Sequence, residues 1–260
     1  MSSLEPLLKK TGDILLSYFG KPELSSSFKT SKDLVSEADR HAEEFLIESL
    51  SKMENIRFLS EEFNPDEPIK KEPLWIIDPL DGTTNFIAGL MPFAVSVAHF
   101  NGEFVDFSAS YIPVTGEFFS AEKGCGAWCN GVRLHVSDNG NPINSVCATG
   151  FADIVKGLDK DTFSVFEQVL RKTRAVRRMG SAVIDMAFTA AGRFDFFWEH
   201  GLSSWDIAAG VLMIEEAGGI VTDFDGGRNY FFDRTIIASN RNMYSFIKSE
   251  IDRNFLDKTC

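Results

Sequence analysis

Two carboxylates with the spacing of a cation site occur in the segment 75–86, which reads Trp-Ile-Ile-Asp-Pro-Leu-Asp-Gly-Thr-Thr-Asn-Phe. Asp78 and Asp81 follow directly on the apolar run 74–77, which predicts a buried strand. Side chains at a strand end project into the crevice where α/β proteins bind ligands. Pro79 fixes a bend, so the two carboxylates can converge. An ordinary acidic turn is the competing interpretation, and this segment taken by itself favours it.

The same segment continues with groups suited to a phosphate. Gly82 lets the backbone come close to a ligand, because glycine has no Cβ atom. Residues 82–84 are also predicted to open a helix, whose free backbone N–H groups would suit a phosphate. The loop therefore combines carboxylates with N–H donors.

Five further acidic residues stand where a predicted strand ends or near the start of a predicted helix. Each has an ordinary explanation, because adjacent glutamates are usually a solvated surface pair and an early helical aspartate interacts with free N–H groups. If these carboxylates gather in one pocket, they cannot all stay ionised without a cation. The five are Asp39, Glu61, Glu62, Glu199 and Asp206.

The predicted ligand atoms are all oxygens, because no histidine or cysteine lies inside these motifs. Hard oxygen ligands favour Mg²⁺ or Mn²⁺ over Zn²⁺. The sequence therefore predicts a magnesium site, with manganese as the alternative ion.

The composition sets the class of protein and excludes some partners. The 260 residues carry a net charge of −12, which disfavours binding to nucleic acid and to anionic membranes. A phosphate substrate then requires a local cation that inverts the field around the carboxylates. Four cysteines are too few for a disulfide scaffold, and no apolar run reaches the length of a membrane span. We therefore expect a cytoplasmic enzyme.

Periodicity predicts helices and strands in alternation. Ser36 is predicted to cap the helix 37–53, and residues 124–131 are predicted to form a turn between strands. Mixed elements of this kind predict a layered α+β fold. Helices are predicted over 4–19, 37–53, 161–172, 181–191, 204–217 and 241–255, and extended segments over 74–77, 92–100, 103–111, 117–121, 131–136, 145–149, 174–179, 194–198, 220–224 and 235–239.

The stretch 139–142 is the predicted boundary between two subdomains. Residues 1–140 would form an N-terminal α+β subdomain with the metal site, and residues 141–260 a C-terminal α/β subdomain that completes the active site. We expect the two to act as one integrated catalytic unit.

The order of these motifs resembles the inositol monophosphatase family, whose superfamily also holds fructose-1,6-bisphosphatases and lithium-sensitive nucleotide phosphatases. The resemblance covers nearly the whole chain, and the combination is specific although each motif is weak. It implies a layered αβαβα sandwich, magnesium-dependent and lithium-sensitive phosphatase activity, and a homodimer. Ser36 stands where many members have threonine, so a hydroxyl is retained. The motifs are Asp39, Glu61-Glu62, Asp78 to Thr84, Trp205-Asp206 and Gly218-Gly219.

The resemblance also implies which residues hold the metal. Glu61, Asp78 and the backbone carbonyl of Leu80 would hold one Mg²⁺. Asp78, Asp81 and Asp206 would hold a second, and a third ion would depend on Glu61. Two to three ions are therefore expected.

The remaining implied roles concern the attacking water and the substrate. Thr83, with Glu61 or Asp39 nearby, would orient or activate the water, and Glu62 would support them. The backbone at residues 82 and 83 would hold the phosphate. The residues expected to contact the substrate are Asp81, Gly82, Thr83, Ala182, Glu199 and Asp206.

We expect hydrolysis of myo-inositol monophosphate to inositol and phosphate by direct attack of water. The segment 180–193 with Glu199 is more similar to inositol monophosphatases than to nucleotide bisphosphatases. Fructose-1,6-bisphosphate, histidinol phosphate and 3′-phosphoadenosine phosphate are the alternative substrates. Arg177 and Arg178 could form a second anion site, although a subunit contact is slightly favoured.

Two other classes of protein are disfavoured. Phosphatases with an aspartyl nucleophile use Asp-x-Asp-x-Thr, whereas the spacing from Asp78 through Asp81 to Thr83 is one residue longer. That class also leaves Glu61 and Asp206 unexplained. A non-enzymatic metal-binding interaction module is disfavoured because every expected ligand is present.

Overall fold

The structure is a computed structural model that describes residues 4–21, 28–158 and 162–255. Within these residues the elements stack in five layers, helix–sheet–helix–sheet–helix, which is the predicted αβαβα order. The middle helix layer packs against both sheets, so it joins the two halves of the fold.

The first sheet has seven strands arranged in chain order. Only β1 and β2 are parallel; each later strand is antiparallel to the one before. The parallel pair places the ends of β1 and β2 at the same edge of the sheet. The strands are β1 (Arg57–Ser60), β2 (Leu74–Asp81), β3 (Ala94–Phe100), β4 (Val105–Ile112), β5 (Glu117–Glu122), β6 (Gly126–Cys129) and β7 (Val132–Arg133).

The second sheet has five strands in the order β11-β12-β10-β8-β9. Strand β8 is parallel to both of its neighbours, and β12 is antiparallel to both of its own. The strands are β8 (Val146–Thr149), β9 (Ala175–Arg177), β10 (Phe196–His200), β11 (Ile220–Thr222) and β12 (Thr235–Ser239).

The helices divide among the three helical layers. Helices α1 and α2 cover the first sheet, α6 and α7 lie between the sheets, and α5 and α9 cover the second sheet. A 3₁₀ turn (Pro142–Asn144) precedes β8. The helices are α1 (Leu4–Tyr18), α2 (Phe28–Met53), α3 (Thr83–Ile87), α4 (Ala152–Lys156), α5 (Phe163–Lys172), α6 (Ala182–Ala190), α7 (Ser204–Glu216), α8 (Tyr230–Asp233) and α9 (Tyr244–Phe255).

Burial on both faces explains why the central strands are continuous apolar runs. In β2, Trp75 and Ile77 pack toward α1 and α2, while Leu74 and Ile76 pack in the core shared with α6 and α7. Successive side chains of a strand point to opposite faces, so a strand with a helix layer on each side needs apolar residues throughout. The run 74–77 therefore places the following acidic residues at the edge of a rigid, fully buried strand.

Helix α2 differs from the prediction at its start. It is already helical at Phe28, so Ser36 lies inside the helix and does not cap it. Apolar residues at helical spacing occur before Ser36 as well as after it. A local capping preference is a weak signal, and the continuous helix overrides it.

Three short elements and the end of β2 also differ from the prediction. Residues 126–129, placed in a turn by the sequence, form β6 and pair with β5. Helices α4 and α8 occur where no helix was predicted. Strand β2 continues past the predicted end to Asp81. The predicted helix start at residue 161 lies outside the described residues.

Among the described helices, none combines the length and the apolar character needed to cross a membrane.

Candidate active site

The parallel pairing of β1 and β2 brings the first acidic residues together. Ser60 of β1 is in register with Ile77 of β2. The next residues, Glu61 just past the end of β1 and Asp78 still within β2, therefore lie side by side. The pKa of Asp78 is raised first by burial and then, among its charged neighbours, most strongly by Glu61. Glu61 thus stands next to Asp78, as predicted.

A bulge in β2 brings Asp78 and Asp81 to one side of the sheet. Asp78 is in register with Ser96 and Asp81 with Ala94, so β2 has one residue more than β3 between these pairs. In a regular strand, residues three positions apart point to opposite faces of the sheet. The extra residue of the bulge shifts this alternation by one position, so Asp78 and Asp81 point to the same face. Pro79 lies within the bulge, where a residue without an N–H is tolerated. Local backbone irregularity therefore makes the two carboxylates neighbours.

Asp206 reaches the same place from the start of α7. Ser203 caps this helix, and the Asp206 side chain accepts a 2.6 Å hydrogen bond from the Ser203 N–H, which completes a capping box. Asp78, Asp81 and Asp206 each offer a carboxylate oxygen, and these oxygens all lie within 4.8 Å of one another. The three residues are distant in sequence and form one acidic cluster.

Hydrogen bonds hold the cluster from two sides. Asp78 Oδ1 accepts from the Leu80 N–H at 3.0 Å, and Asp78 Oδ2 is buried with no hydrogen-bond partner among the residues that the structure describes. Asp81 Oδ2 accepts from the Ser181 hydroxyl at 2.6 Å and from the Val183 N–H at 2.7 Å. The start of α6 therefore fixes Asp81, whereas Asp78 keeps an unpaired oxygen.

Helix α2 supplies a second pair of carboxyl groups. Asp39 and Glu43 are one helical turn apart and both are buried. Glu43 accepts hydrogen bonds from the N–H groups of Glu62 and Phe63 at 3.0 and 2.9 Å, so it ties the loop that carries Glu61 to α2. Asp39 Oδ1 is buried, and no described residue offers it a hydrogen bond. The sequence did not single out Glu43, although its position one turn after Asp39 was a usable signal.

Burial and mutual repulsion raise the pKa of these carboxyl groups. Burial comes first at every group, followed by the neighbouring carboxylates. The pKa of Asp39 is raised to about 9 and that of Glu61 to about 8. The pKa of Asp81 is raised to about 7 by burial and Asp206, against hydrogen bonds that lower it. The pKa of Asp78 is raised well above its usual range.

The donor set fits a hard divalent cation. The cluster offers carboxylate oxygens only, with an unpaired buried oxygen on Asp78 and a nearby one on Asp39. A bound cation would remove the repulsion that raises these pKa values. The Leu80 carbonyl, also predicted as a ligand, accepts a 3.1 Å hydrogen bond from the Thr83 hydroxyl and retains a second lone pair.

Gly82 and Thr83 follow the bulge at the start of the short helix α3. Gly82 has φ 96°, in the left-handed region, and a Cβ atom there would lie 2.8 Å from the Pro92 carbonyl oxygen. Only glycine satisfies both constraints. Thr83 is half-buried and adjoins the cluster through its bond to Leu80. Glu62 is exposed, and its described hydrogen bond uses its backbone N–H.

A cleft of about 270 Å³ opens beside the cluster. Asp81 and Asp206 line one side of it, and Ala182 and Glu199 line another. Glu199 is buried, accepts a 3.3 Å hydrogen bond from the Ala152 N–H, and has its pKa raised to about 8, mainly by burial. The cleft therefore brings Asp81 and Asp206, predicted as both metal and substrate residues, together with the predicted substrate residues Ala182 and Glu199.

Three further residues shape this cleft. A Cβ atom on Gly150 would collide with the Glu199 carboxylate, so the absence of a side chain there makes room for it. Asp185 is buried beneath the cleft with Oδ1 unpaired, and burial followed by Glu199 raises its pKa well above the usual range. Arg178 also lines the cleft, whereas Arg177 is exposed on β9. The sequence did not indicate Gly150 or Asp185, because only the tertiary fold brings them beside Glu199.

Comparison with known proteins gives three close relationships. An inositol-1-monophosphatase of Mesorhizobium japonicum is 40% identical over 233 residues, which cover 89% of this chain and 88% of that protein. A fructose-1,6-bisphosphatase/inositol-1-monophosphatase of Thermotoga maritima is 37% identical over 237 residues, which cover 90% of this chain and 88% of that protein. The solved structure of an Anabaena inositol monophosphatase superposes with a TM-score of 0.85 at 30% identity and covers 98% of this chain and 95% of that one.

The family profile described as the inositol monophosphatase family matches residues 2–254. That span includes every carboxylate of the cluster and both sheets. Members of this family depend on a metal ion, which agrees with the acidic cluster. This chain belongs to the inositol monophosphatase family.

Proposed function

We propose that this protein hydrolyses small phosphate monoesters, with myo-inositol monophosphate as its principal substrate. One observation carries the proposal: the oxygens of Asp78, Asp81 and Asp206 lie within 4.8 Å of one another beside a cleft. The relatives named as inositol-1-monophosphatases support the same activity.

The metal site is assigned to Glu61, Asp78, Asp81, Asp206 and the Leu80 carbonyl, for two to three Mg²⁺ ions, with Mn²⁺ as the alternative. When bound, these ions polarise the phosphoryl oxygens, make water more acidic and neutralise developing charge. The chain's own contribution is to hold these ligands rigidly, through the bulge in β2 and the capping box of α7.

We assign the orientation and activation of the attacking water to Thr83, Glu61 and Asp39. The Thr83 hydroxyl donates its proton to the Leu80 carbonyl, so its oxygen can accept a hydrogen bond from water. Burial and neighbouring carboxylates raise the pKa of Glu61 and Asp39 in the metal-free protein, and bound cations would lower it, so that either carboxylate could then accept a proton from the water. Glu62 is assigned a supporting role. It follows Glu61 on the same loop, and its N–H donates a hydrogen bond to the Glu43 carboxylate of α2.

We assign the substrate-binding site to the cleft of about 270 Å³. The backbone at Gly82 and Thr83, beside Asp81, would receive the phosphate. Glu199, Asp206 and the backbone of Ala182 would receive the hydroxyl groups of the cyclitol. A site built to hydrogen-bond a substrate hydroxyl discriminates strongly against substrates without that hydroxyl.

Other substrates of the superfamily are the alternatives. The relative from Thermotoga maritima has fructose-1,6-bisphosphatase in its name, which keeps that sugar bisphosphate as the second candidate. Arg178 lines the cleft and is the side chain that could receive a second phosphate. Histidinol phosphate and 3′-phosphoadenosine phosphate complete the panel, and a metal-binding module without activity is the non-enzymatic alternative.

The test is phosphate release from these four esters with Mg²⁺, with Mn²⁺ and with EDTA. We expect the highest kcat/KM with myo-inositol monophosphate, activity only with a divalent cation, and inhibition by lithium. Release of phosphate from none of the esters would overturn the proposal. Preference for another ester would reassign the substrate but keep the reaction. Sedimentation velocity would test the homodimer that the family resemblance predicts.

A further inference from the structure

A second cleft lies away from the acidic cluster, between the β3–β4 turn, the loop before β2 and helix α8. It encloses about 680 Å³, compared with about 270 Å³ at the cluster. Sites for small organic ligands span about 300–1,000 Å³. The two clefts share no lining residue. We call the larger one the aromatic cleft.

The aromatic cleft is apolar at its floor and at its mouth. Phe100 and Tyr230 are buried at the floor, together with Val211 of α7. Phe104 and Phe232 line the cleft with 42% and 63% of their surface exposed. Exposed aromatic side chains that surround a concave surface are a feature of binding sites rather than of ordinary protein surface.

Basic side chains surround this apolar surface. Lys70 and Lys71 have no carboxylate within salt-bridge distance among the described residues. Two acidic residues of the same loop, Glu67 and Glu72, are paired with Arg57, and a third, Asp66, is exposed and does not line the cleft. The ammonium groups of Lys70 and Lys71 therefore remain available to a ligand in the cleft, in a chain whose net charge is −12.

The opposite side of the cleft adds two more basic residues. Lys123 and Arg228 lie 3.1 and 3.0 Å from the same carboxylate, that of Glu215. Glu103 is the other acidic residue that lines the cleft. Basic residues therefore outnumber acidic ones at this surface, against the trend of the whole protein.

A close backbone contact fixes the lysine-bearing loop in place. Gly102, in the β3–β4 turn, has φ +100°, and a Cβ atom there would lie 3.0 Å from the Glu72 nitrogen. The Glu72 N–H also donates a 2.8 Å hydrogen bond to the Lys70 carbonyl. The turn and the loop therefore pack backbone to backbone, which keeps Lys70 and Lys71 beside Phe104.

From these features we infer that the aromatic cleft is a binding site for a small organic anion with a flat apolar body and one acidic head group. The aromatic side chains receive the body, and Lys70 and Lys71 receive the head. This site is separate from the acidic cluster. It contacts α7 at residues 211–215, which lie about 7–14 Å from Asp206 along the axis of that helix.

The probe for this site is 8-anilinonaphthalene-1-sulfonate, an aromatic anion whose fluorescence rises in apolar surroundings. We expect saturable binding at one site per chain. Lys70→Ala with Lys71→Ala should weaken binding about five- to tenfold, the range for two exposed ion pairs. The same variant should not change binding of N-phenyl-1-naphthylamine, which has a similar body and no charge. Phe232→Ala should weaken binding of both probes.

Matched controls make the test decisive. Lys9→Ala with Lys10→Ala removes an adjacent lysine pair from α1, and Val132→Ala shortens a side chain that is 69% exposed on β7. Neither control should change binding of either probe. The inference is overturned if the anion does not saturate one site, if the controls weaken binding equally, or if inorganic phosphate displaces the probe. Far-ultraviolet circular dichroism of each variant confirms that it is folded.

Discussion

The Ser181 hydroxyl donates a 2.6 Å hydrogen bond to Asp81 Oδ2, which joins the end of β2 to the start of α6 across 100 residues. The same hydroxyl accepts from the Ile184 N–H at 3.2 Å and caps α6. One side chain therefore both begins a helix and orients a carboxylate of the acidic cluster. The geometry of the site therefore depends on the packing of α6 against the end of β2.

Replacing Ser181 should weaken both functions of this hydroxyl. Ser181→Ala should lower the free energy of unfolding by about 1 kcal/mol through loss of the cap. It should also lower kcat/KM about 10- to 100-fold, the usual cost of removing a group that orients a metal ligand. Ser181→Thr keeps the hydroxyl and should restore most of the activity. Equal activity in the alanine variant would show that Ser181 does not position Asp81.

Replacing Asp81 itself should have a larger effect. Asp81→Asn keeps the shape of the side chain but removes its charge, so the protein should stay folded while kcat/KM falls more than about 100-fold, beyond the usual effect of an outer-shell group. Steady-state kinetics with Mg²⁺ measures the loss, and circular dichroism checks the fold. The matched control is Asp66→Asn, at an exposed position outside the cluster. Near-normal activity in D81N would refute the assignment of Asp81 as a ligand.

The raised carboxyl pKa values predict how the stability of the metal-free protein depends on pH. The folded state binds protons more tightly than the unfolded state, because the folded pKa values of Asp81, Glu61 and Asp39 are raised to about 7, 8 and 9. The contribution of these groups to stability should therefore be fully present below the unfolded pKa values, about 4, and should be lost progressively as pH rises to about 9. Thermal unfolding in EDTA at pH 6 and pH 9 measures this slope.

Added Mg²⁺ should oppose the fall in stability that the metal-free protein shows as pH rises. The ion competes with protons for the same oxygens, so its stabilising effect should be larger at pH 9 than at pH 6. In Asp81→Asn both the slope in EDTA and the shift on adding Mg²⁺ should shrink. A melting temperature in EDTA that does not change with pH in the wild type would contradict the clustering of these carboxylates.

Gly150 should control the position of Glu199. Gly150→Ala would place a methyl group against the Glu199 carboxylate, so Glu199 must move. If Glu199 binds the cyclitol hydroxyls, this variant should raise KM for myo-inositol monophosphate about tenfold or more, with a smaller change in kcat. The matched control is Gly140→Ala, whose Cβ would meet a neighbour at 3.3 Å, away from the cleft. An unchanged KM would remove Glu199 from substrate binding.

The sequence predicted the local elements well where apolar patterns extend over several turns or a whole strand. The strand 74–77, the helix 204–217 and the strand 235–239 all appear within a few residues of their predicted bounds. Layer order followed from the family resemblance and is confirmed by the packing of α6 and α7 between the sheets. The strands and helices follow from apolar patterns that are local or repeated, so a single sequence carries enough information to predict them.

Three carboxylates of the acidic cluster could be predicted from the sequence, but their geometry could not. Asp78 and Asp81 were recognised by type and spacing, yet their convergence depends on a bulge in β2 that continues the strand past its predicted end. Ser36 was wrongly expected to cap α2, because a capping signal cannot show that the helix begins earlier. Gly150 and Asp185 were missed because they meet Glu199 only through tertiary packing. The proposed subdomain boundary at 139–142 stays a prediction.

The most direct measurement of the central claim is anomalous diffraction from crystals soaked in Mn²⁺, which substitutes for Mg²⁺ at oxygen sites. We predict a peak bounded by the carboxylates of Asp78, Asp81 and Asp206, absent from crystals of the Asp81→Asn variant or strongly reduced there. A wild-type map with no peak among these three side chains, from crystals of an enzyme that is active with Mn²⁺, would contradict the account.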